Sequence, residues 1–175
     1  MKNHLTSERL TLRMFEAQDL APYLAYYTGD RTGGVGGSKP AHVVVERFCA
    51  NIGHWTLRGF GRLGICLDPA EPAIGHVGPL QLGDGAPELT WTLWSADHEG
   101  HGYATEAARC VLDHLFAQGW PGLVAHVAEA NAASHAVARR LGGVPTGAPS
   151  PPWLEGSIQY RFSPEGSALI RRPKK

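Results

Sequence analysis

A glycine-rich turn runs directly into an amphipathic helix in the segment Glu99-Gly100-His101-Gly102-Tyr103-Ala104-Thr105-Glu106-Ala107. Gly100 and Gly102 carry no Cβ, so a ligand can approach the backbone N–H groups closely. The first turn of the helix leaves several N–H donors without intrahelical partners, and their partial positive charge suits a phosphate. A purely structural turn can have the same sequence, so the rest of the chain must separate the two interpretations.

The charge balance of the chain excludes one class of partner. Its 175 residues include 16 Lys and Arg against 16 Asp and Glu. These charges are scattered, so no broad basic surface for nucleic acid is expected. The polar amino terminus (Met1–Leu10) and the lack of a membrane-length apolar run predict no signal peptide, no membrane partner and a cytoplasmic location. The length fits one domain.

Cysteine and histidine usage gives no sign of a metal or a disulfide. Cys49, Cys66 and Cys110 are odd in number, far apart and in apolar contexts, which predicts buried free thiols. Only His98 and His101 are close neighbours among nine histidines, so no metal site is predicted.

Hydrophobic periodicity predicts the elements that precede the turn. Apolar residues alternate in the strands, and they recur at helical spacing at Val44, Val45, Phe48, Ile52 and Trp55. Five glycines within 12 residues predict a flexible loop between the first two helices. The predicted order is strand Arg9–Phe15, helix Leu20–Tyr27, loop Gly29–Pro40, helix Ala41–Arg58, and strands Leu63–Leu67, Ala73–Gln81 and Glu88–Trp94.

A β-α-β-α unit follows from the turn onward. The pattern predicts a helix that begins near Ala104 and is stopped by Gly119, then a strand over Leu123–Ala128 and a helix over Asn131–Leu141. This order indicates a parallel or mixed sheet with helices packed on it. The remaining predictions are an irregular Pro-rich stretch, Pro145–Pro152, a last strand, Ser157–Phe162, and a solvated basic tail, Arg171–Lys175.

Three separate motifs in this order resemble one family. Glu8-Arg9-Leu10-Thr11-Leu12-Arg13, the turn Gly100–Ala107, and Asn131-Ala132-Ala133-Ser134 with Leu141-Gly142 resemble the GNAT superfamily of N-acetyltransferases. The resemblance is to the branch that contains the ribosomal-protein Nα-acetyltransferases. This resemblance covers roughly residues 7–162 of the chain. The resemblance implies an α/β fold in a single domain over residues 1–175, with 163–175 as a tail. The fold would be a mixed twisted sheet with helices on both faces and a V-shaped splay between its central strands.

The resemblance implies acetyl-CoA as the acetyl donor, with no metal. The pyrophosphate would bind at Glu99–Ala104 and the pantetheine would lie between the strands Glu88–Trp94 and Leu123–Ala128. Asn131 would hydrogen-bond to the pantetheine and Ser134 would lie near the sulfur. The alternative for both is helix capping, because Asn131 is a plausible N-cap and Ser134 lies three residues later. The implied coenzyme-binding residues are Leu93, Trp94, Glu99, Gly100, His101, Gly102, Tyr103, Ala104, Thr105, Asn131 and Ser134.

Acyl transfer to an amine needs a base, because amines are mostly protonated at neutral pH. Glu88 begins the strand before the turn, shares a face with Thr90 and Thr92, and is the candidate. A backbone N–H near Leu93 or Trp94 would polarise the thioester carbonyl. Ser134 is the candidate acid for the leaving thiolate, and Tyr160 is an alternative. Ala138 stands where many relatives carry a tyrosine that acts as the general acid.

One departure from the family pattern concerns charge. Glu99 stands where the family usually has Gln or Arg, so its carboxylate would lie near the phosphates unless it points away or caps the helix.

The resulting hypothesis is an acetyl-CoA-dependent N-acetyltransferase that acts by direct attack in a ternary complex. The acceptor is a primary amine, either a peptide amino terminus or a small molecule, and relatives suggest a homodimer. Tyrosine and tryptophan side chains are candidate walls for the acceptor: Tyr23, Tyr26, Tyr27, Trp55 and Trp153. The alternatives are a noncatalytic acyl-CoA-binding or sensor domain and a structural interaction domain.

Overall fold

The computed structural model describes residues 1–81 and 85–166, so the predicted tail Arg171–Lys175 lies outside the described residues. These residues form an eight-stranded mixed sheet in the order β1-β2-β3-β4-β5-β6-β8-β7. Neighbouring strands are antiparallel except β5 and β6, which are parallel. The strands are β1 (His4–Thr6), β2 (Thr11–Arg13), β3 (Leu63–Cys66), β4 (Gly75–Leu80), β5 (Glu88–Leu93), β6 (Leu123–Ala128), β7 (Val144–Pro145) and β8 (Ser157–Phe162).

Four α-helices have both ends within the described part of the chain, and three short 3-10 helices accompany them. The second begins and ends where its periodicity predicted, and Gly59 closes it with a left-handed φ of 71°. None of these helices is long and apolar enough to cross a membrane. The α-helices are α1 (Leu20–Thr28), α2 (Ala41–Arg58), α3 (Tyr103–Ala117) and α4 (Ala132–Arg140), and the 3-10 helices are Ala17–Asp19, Asp30–Val35 and Ala96–His98.

Helices lie on both faces of the sheet, as expected. Successive strand residues point to opposite faces. In β4, Val77 belongs to the apolar cluster that contains α3 and α4, whereas the neighbouring His76 ring contacts Tyr23 and Tyr27 of α1. The alternation therefore separates two cores, one under α3 and α4 and one under α1 and α2.

The two central strands diverge, as the family resemblance implied. Within the described residues, β5 and β6 share one register pair, Glu88 with Val124, at the start of both strands. Each strand is fully paired on its other side, β5 with β4 and β6 with β8. The sheet is therefore splayed towards the ends that lead into α3 and α4.

A buried ion pair fixes the first helix to this sheet. Arg13 of β2 donates to both carboxylate oxygens of Asp19, at 2.7 and 3.1 Å. The fully buried Asp19 also accepts the backbone N–H groups of Glu16 and Ala73, at 2.8 and 2.7 Å. Every oxygen of this buried carboxylate is thus hydrogen-bonded, which offsets its desolvation.

Three short elements correct the sequence-based expectations. The stretch Gly29–Pro40 was expected to lack regular structure, but it contains the 3-10 helix Asp30–Val35. The strand β1 was not predicted, and β7 begins the Pro-rich stretch. All three are too short to show periodicity, and β1 and β7 depend on antiparallel pairing with the strands that follow them, β2 and β8.

The apolar stripe of α2 is narrower than its sequence predicted. Val44 and Phe48 are buried, but Val45 and Ile52 are 37% and 36% exposed. Asn51 takes the next core position, because its side-chain amide donates to the Tyr23 hydroxyl and to the Arg47 carbonyl. A satisfied amide can be buried at little cost.

The thiols are free, as predicted, but only one is fully buried. Burial raises the pKa of Cys66 to about 11 and also raises the pKa of the half-buried Cys110. Cys49 lies exposed on α2, contrary to the prediction, because its position falls outside the core face of the helix.

Candidate functional site

A large cleft opens where β5 and β6 diverge, with a volume of about 1510 Å³. Residues of both central strands line it, together with the first turns of α3 and α4. The opposite wall comes from α1, α2 and the 3-10 helix Asp30–Val35. Helices from both faces of the sheet therefore contribute to one site.

The glycine-rich turn presents free backbone donors to this cleft. Gly100 and Gly102 have left-handed φ values of 77° and 82°, which side chains rarely tolerate. The Glu106 N–H donates to the Gly102 carbonyl at 3.0 Å as an i→i−4 bond at the start of α3. The N–H groups of residues 103–105 precede that bond and have no intrahelical acceptor, and these residues line the cleft. The donor set fits a phosphate.

The amino-terminal motif is bonded directly to this turn. Glu106 accepts the Ser7 hydroxyl at 2.7 Å, the Arg9 backbone N–H at 2.9 Å and the Arg9 Nε–H at 2.8 Å. Arg9 also donates to the His101 carbonyl, and its guanidinium lies 4.8 Å from the centre of the Tyr103 ring. Burial raises the pKa of Glu106, but the bonds from Ser7 and Arg9 outweigh it, and the pKa is lowered.

Glu99 points away from the turn. Its carboxylate pairs with Arg31 in the 3-10 helix Asp30–Val35. The Arg31 Nη1–H also donates to the Trp94 carbonyl at 3.1 Å. The arginine neutralises the carboxylate that departs from the family pattern, and it joins the opposite wall to the segment before the turn. The neighbouring His101 donates from Nδ1 to the Glu99 carbonyl and lies outside the cleft lining.

Glu88 lies in a chain of hydrogen bonds across the splay. Its Oε2 accepts the Nδ1–H of His126 at 2.9 Å, and His126 Nε2 accepts from Gln159 Nε2 at 3.1 Å. The Trp153 ring packs edge-on against His126 at 5.6 Å between centroids. All four side chains line the cleft.

Sequence reasoning missed His126 and Gln159. The alternation of β6 could have indicated His126. Leu123, Ala125 and Val127 are buried, and the residues between them face the cleft. Nothing in the local sequence of Gln159 indicates its partner.

Asn131 and Ser134 both reach the cleft, and the capping interpretation of Asn131 is confirmed. Its Oδ1 accepts the Ser134 backbone N–H at 3.0 Å at the start of α4. The opposite wall touches the same side chain, because a Cβ at Gly34 would lie 2.7 Å from Asn131 Nδ2.

The two candidate oxyanion donors differ. The Trp94 N–H already donates to the Ile74 carbonyl at 2.9 Å, so Trp94 does not fit that role. Successive amides of a strand point in opposite directions, which turns the Leu93 N–H towards β6. Leu93 lines the cleft, whereas the buried Trp94 indole donates to His76.

Tyr160 does not reach the cleft. Its buried hydroxyl is hydrogen-bonded to His135 Nδ1 at 2.9 Å, and Ala138 is fully buried in the core. Ser134 is therefore the sequence-predicted acid that lines the cleft.

Tyrosine and arginine side chains contribute to the far wall, which is the wall of the cleft opposite the central strands. Tyr23, Tyr26 and Tyr27 line the cleft with Trp153, whereas Trp55 does not. Burial raises the pKa of Tyr23 and of Tyr26 to about 12, so both hydroxyls are neutral at physiological pH.

Histidine, cysteine and carboxylate side chains form no group of three or more that could hold a metal within residues 1–81 and 85–166.

Comparison with known proteins identifies the family. The acetyltransferase (GNAT) domain family matches residues 9–144. The chain belongs to this family, whose members transfer acetyl groups from acetyl-CoA to amines, and it is an acetyltransferase.

Solved structures share the fold. An acetyltransferase from Agrobacterium tumefaciens is 35% identical over 93% of this chain and 95% of its own, with a TM-score of 0.82. A Salmonella typhimurium acetyltransferase that modifies the N-terminal serine of ribosomal protein L7/L12 is 17% identical over 90% and 96%, with a TM-score of 0.73. Mycobacterium smegmatis RimJ, in complex with CoA-disulfide, is 17% identical over 89% and 82%, with a TM-score of 0.70. None of the curated proteins compared with the chain matches it significantly.

Proposed function

We propose that this chain transfers the acetyl group of acetyl-CoA to the primary amine of a peptide amino terminus or a small molecule, by direct attack in a ternary complex. One observation carries the proposal: a single cleft connects the glycine-rich turn with the Glu88–His126 pair. A phosphate site and a proton acceptor are the two functions that this reaction needs at opposite ends of the donor.

The coenzyme would enter from the side of α3 and α4. Its pyrophosphate would accept hydrogen bonds from the turn at residues 99–105, where the N-terminus of α3 adds positive potential. The pantetheine would lie in the splay, because strand edges that do not pair there leave amide groups for it. Asn131 and Ser134 would face it from α4, and the Leu93 N–H would stabilise the charge on the thioester oxygen.

Glu88 would accept the proton of the attacking amine, directly or through water. The reference pKa is about 8 for an α-amino group and about 10.4 for lysine, so a base must take up a proton before or during attack. The His126 Nδ1–H holds one carboxylate oxygen of Glu88 and leaves the other for the substrate. His126 is a positioning residue in this mechanism.

The leaving thiolate would need little assistance. A thiol of this type has a pKa of about 8.5, so it departs as an anion without obligatory protonation. The Ser134 hydroxyl would donate a hydrogen bond to that sulfur as the charge forms.

The neighbours support both the donor and one acceptor class. RimJ of Mycobacterium smegmatis is bound to CoA-disulfide, and the Salmonella typhimurium enzyme modifies an N-terminal serine. The cleft of this chain has a volume of about 1510 Å³, above the roughly 300–1,000 Å³ of a typical pocket for one small ligand, which supports a site for both donor and acceptor.

The test is a thermal-shift titration with acetyl-CoA and CoA, followed by thiol release with a panel of amines and peptides. We expect stabilisation by both ligands and amine-dependent thiol release. An unchanged unfolding temperature at millimolar acetyl-CoA contradicts the coenzyme site. Stabilisation without turnover on any amine supports the noncatalytic acyl-CoA-binding domain instead. Sedimentation of the same sample tests the expected homodimer.

A further inference from the structure

We propose that the acceptor carries a carboxylate a few bonds from its amine, and that Arg47 and Arg62 bind this carboxylate. The inference rests on the proposed function and names the substrate class of the same cleft. The shared chemistry is an anionic primary amine, which can be a small ω-amino acid or the acidic first residue of a peptide.

Two guanidinium groups lie on the far wall. Arg47 projects from α2, Arg62 precedes β3, and both line the cleft. Burial raises the pKa of the Tyr27 hydroxyl, and the charges of Arg62 and Arg47 oppose that shift. The same two charges act on Tyr23, so both guanidinium groups face one tyrosine-lined region.

Both carboxylates that line the described part of the cleft are already paired. Among the described residues that line it, Glu88 and Glu99 are the acidic ones. Glu88 accepts from His126, and Glu99 pairs with Arg31 on the coenzyme side. No carboxylate of residues 1–81 or 85–166 forms a salt bridge with Arg47 or Arg62. The far wall thus presents positive charge to a ligand.

The position of Arg62 relates this charge to the proposed base. The Arg62 Nε–H donates to Thr90 Oγ1 at 2.9 Å, and Thr90 in turn donates to the Gly78 carbonyl at 3.0 Å. Thr90 and Glu88 share a face of β5, with Cα atoms about 6.8 Å apart. A ligand that pairs with Arg62 through a carboxylate would therefore place an amine a few bonds away near Glu88.

The coenzyme does not account for these arginines. Its pyrophosphate site follows the last residue of β5, Leu93, whereas Arg62 contacts the first half of that strand. A polyamine acceptor would place a second cation beside two arginines, which is electrostatically unfavourable. The wall favours an anionic acceptor over a neutral or dicationic one.

The experiment compares acceptors that differ only in the anionic group. The small-molecule arm uses γ-aminobutyrate, its amide and cadaverine, and the peptide arm uses Asp-Ala-Ala amide and Asn-Ala-Ala amide. We expect the carboxylate member of at least one arm to have a kcat/KM on the order of 10-fold to 100-fold above its amide twin. The arm that shows the preference identifies the source.

Two variants assign the preference to the arginines. Arg62→Gln and the exposed Arg47→Gln should each reduce the acid-to-amide ratio of kcat/KM towards 1. Arg47→Gln keeps the test decisive if Arg62→Gln unfolds. The control Arg139→Gln, which removes an exposed α4 cation outside the cleft lining, should keep the ratio.

The outcomes separate this inference from the proposed function. Equal rates for acids and amides, or a preference for cadaverine, overturn the anionic acceptor but leave an active acetyltransferase. A preference that survives both arginine substitutions overturns their assignment. If no amine is acetylated although acetyl-CoA binds, the proposed function fails and the anionic acceptor fails with it.

Discussion

The hydrogen bond between Glu88 and His126 makes a specific chemical prediction. Glu88→Gln keeps the side chain's size and an oxygen that can accept from His126 Nδ1, but an amide cannot take up a proton at neutral pH. We expect kcat to fall about 10²-fold to 10⁴-fold, with acetyl-CoA affinity and unfolding temperature nearly unchanged. Thiol release with a good amine measures the first, and thermal shift measures the other two.

A matched control is Glu129→Gln, which changes an exposed glutamate just after β6 and should be silent. Unchanged rates for Glu88→Gln across the pH range would show that another group, or bulk water, takes the proton.

Gly102 is the N-cap of α3 and lines the cleft at the proposed phosphate site. Gly102→Ala forces a side chain into a backbone with φ of 82°, at a cost of roughly 1–2 kcal/mol, and its Cβ would lie 3.6 Å from Arg9 Nη2. This strain falls on the turn that presents the proposed phosphate donors. Gly119→Ala imposes almost the same backbone strain at the other end of α3, with φ of 83° and open space around the Cβ. We expect similar losses of stability, but a weakening of acetyl-CoA binding by at least about 10-fold only for Gly102→Ala.

Calorimetric titration with acetyl-CoA compares the two variants. Equal affinities in both would move the pyrophosphate away from the glycine-rich turn.

Individual site residues differ in how far the sequence could predict them. Gly100, Gly102 and Asn131 belong to contiguous motifs, so local backbone requirements mark them. The partners of Glu88 and Glu99 are 38 and 68 residues away along the chain, at His126 and Arg31. Such pairs arise from the register of the sheet and the docking of a loop, which periodicity does not encode.

Glu106 connects two elements, the segment before β2 and the first turn of α3. Its pKa is lowered in the fold, because the bonds from Ser7 and Arg9 outweigh the effect of burial. A group with a depressed folded pKa stabilises above its unfolded pKa, about 4.3 for glutamate, and this stabilisation is lost as pH falls below it. We expect Glu106→Gln to lower the free energy of unfolding by about 1–2 kcal/mol at pH 7. The difference from wild type should shrink below pH of about 4.3.

Urea unfolding at a series of pH values tests this linkage. The control Glu46→Gln removes an exposed carboxylate of α2 and should follow wild type throughout. A Glu106→Gln deficit that persists undiminished at low pH would mean that shape, and not charge, carries the contribution.

Long elements with a strong period were predictable, and short ones were not. The bounds of α2 and β6 follow directly from periodicity and flanking turn residues. The 3-10 helix Asp30–Val35 has no apolar period, and contacts such as the pair between Arg31 and Glu99 hold it against the site. The period of α2 also failed to show that Asn51 would replace Ile52 in the core, because this depends on the Tyr23 hydroxyl.

The sheet consists of two halves, β1–β5 and β6–β8, that meet at an incompletely paired seam between β5 and β6. The core under α3 and α4 includes residues of both halves, such as Leu63 and Leu123, whereas the core under α1 and α2 lies on the other face of the sheet. A ligand in the splay would contact both halves at once. Its binding energy would therefore add to the stability of the seam, where the sheet itself contributes least.

Hydrogen exchange measures that coupling. Beyond the pair of Glu88 with Val124, the amides that β5 and β6 turn towards each other lack cross-strand acceptors, so we expect fast exchange in the free protein. Acetyl-CoA at about 100 times its Kd should slow exchange there and at residues 103–105 by up to about 100-fold. The β3–β4 ladder, which is paired on both sides, is the internal reference and should change less. Protection confined to α1 and α2 would place the coenzyme outside the splay, because amides in β5 and β6 cannot gain acceptors from a ligand that does not reach them.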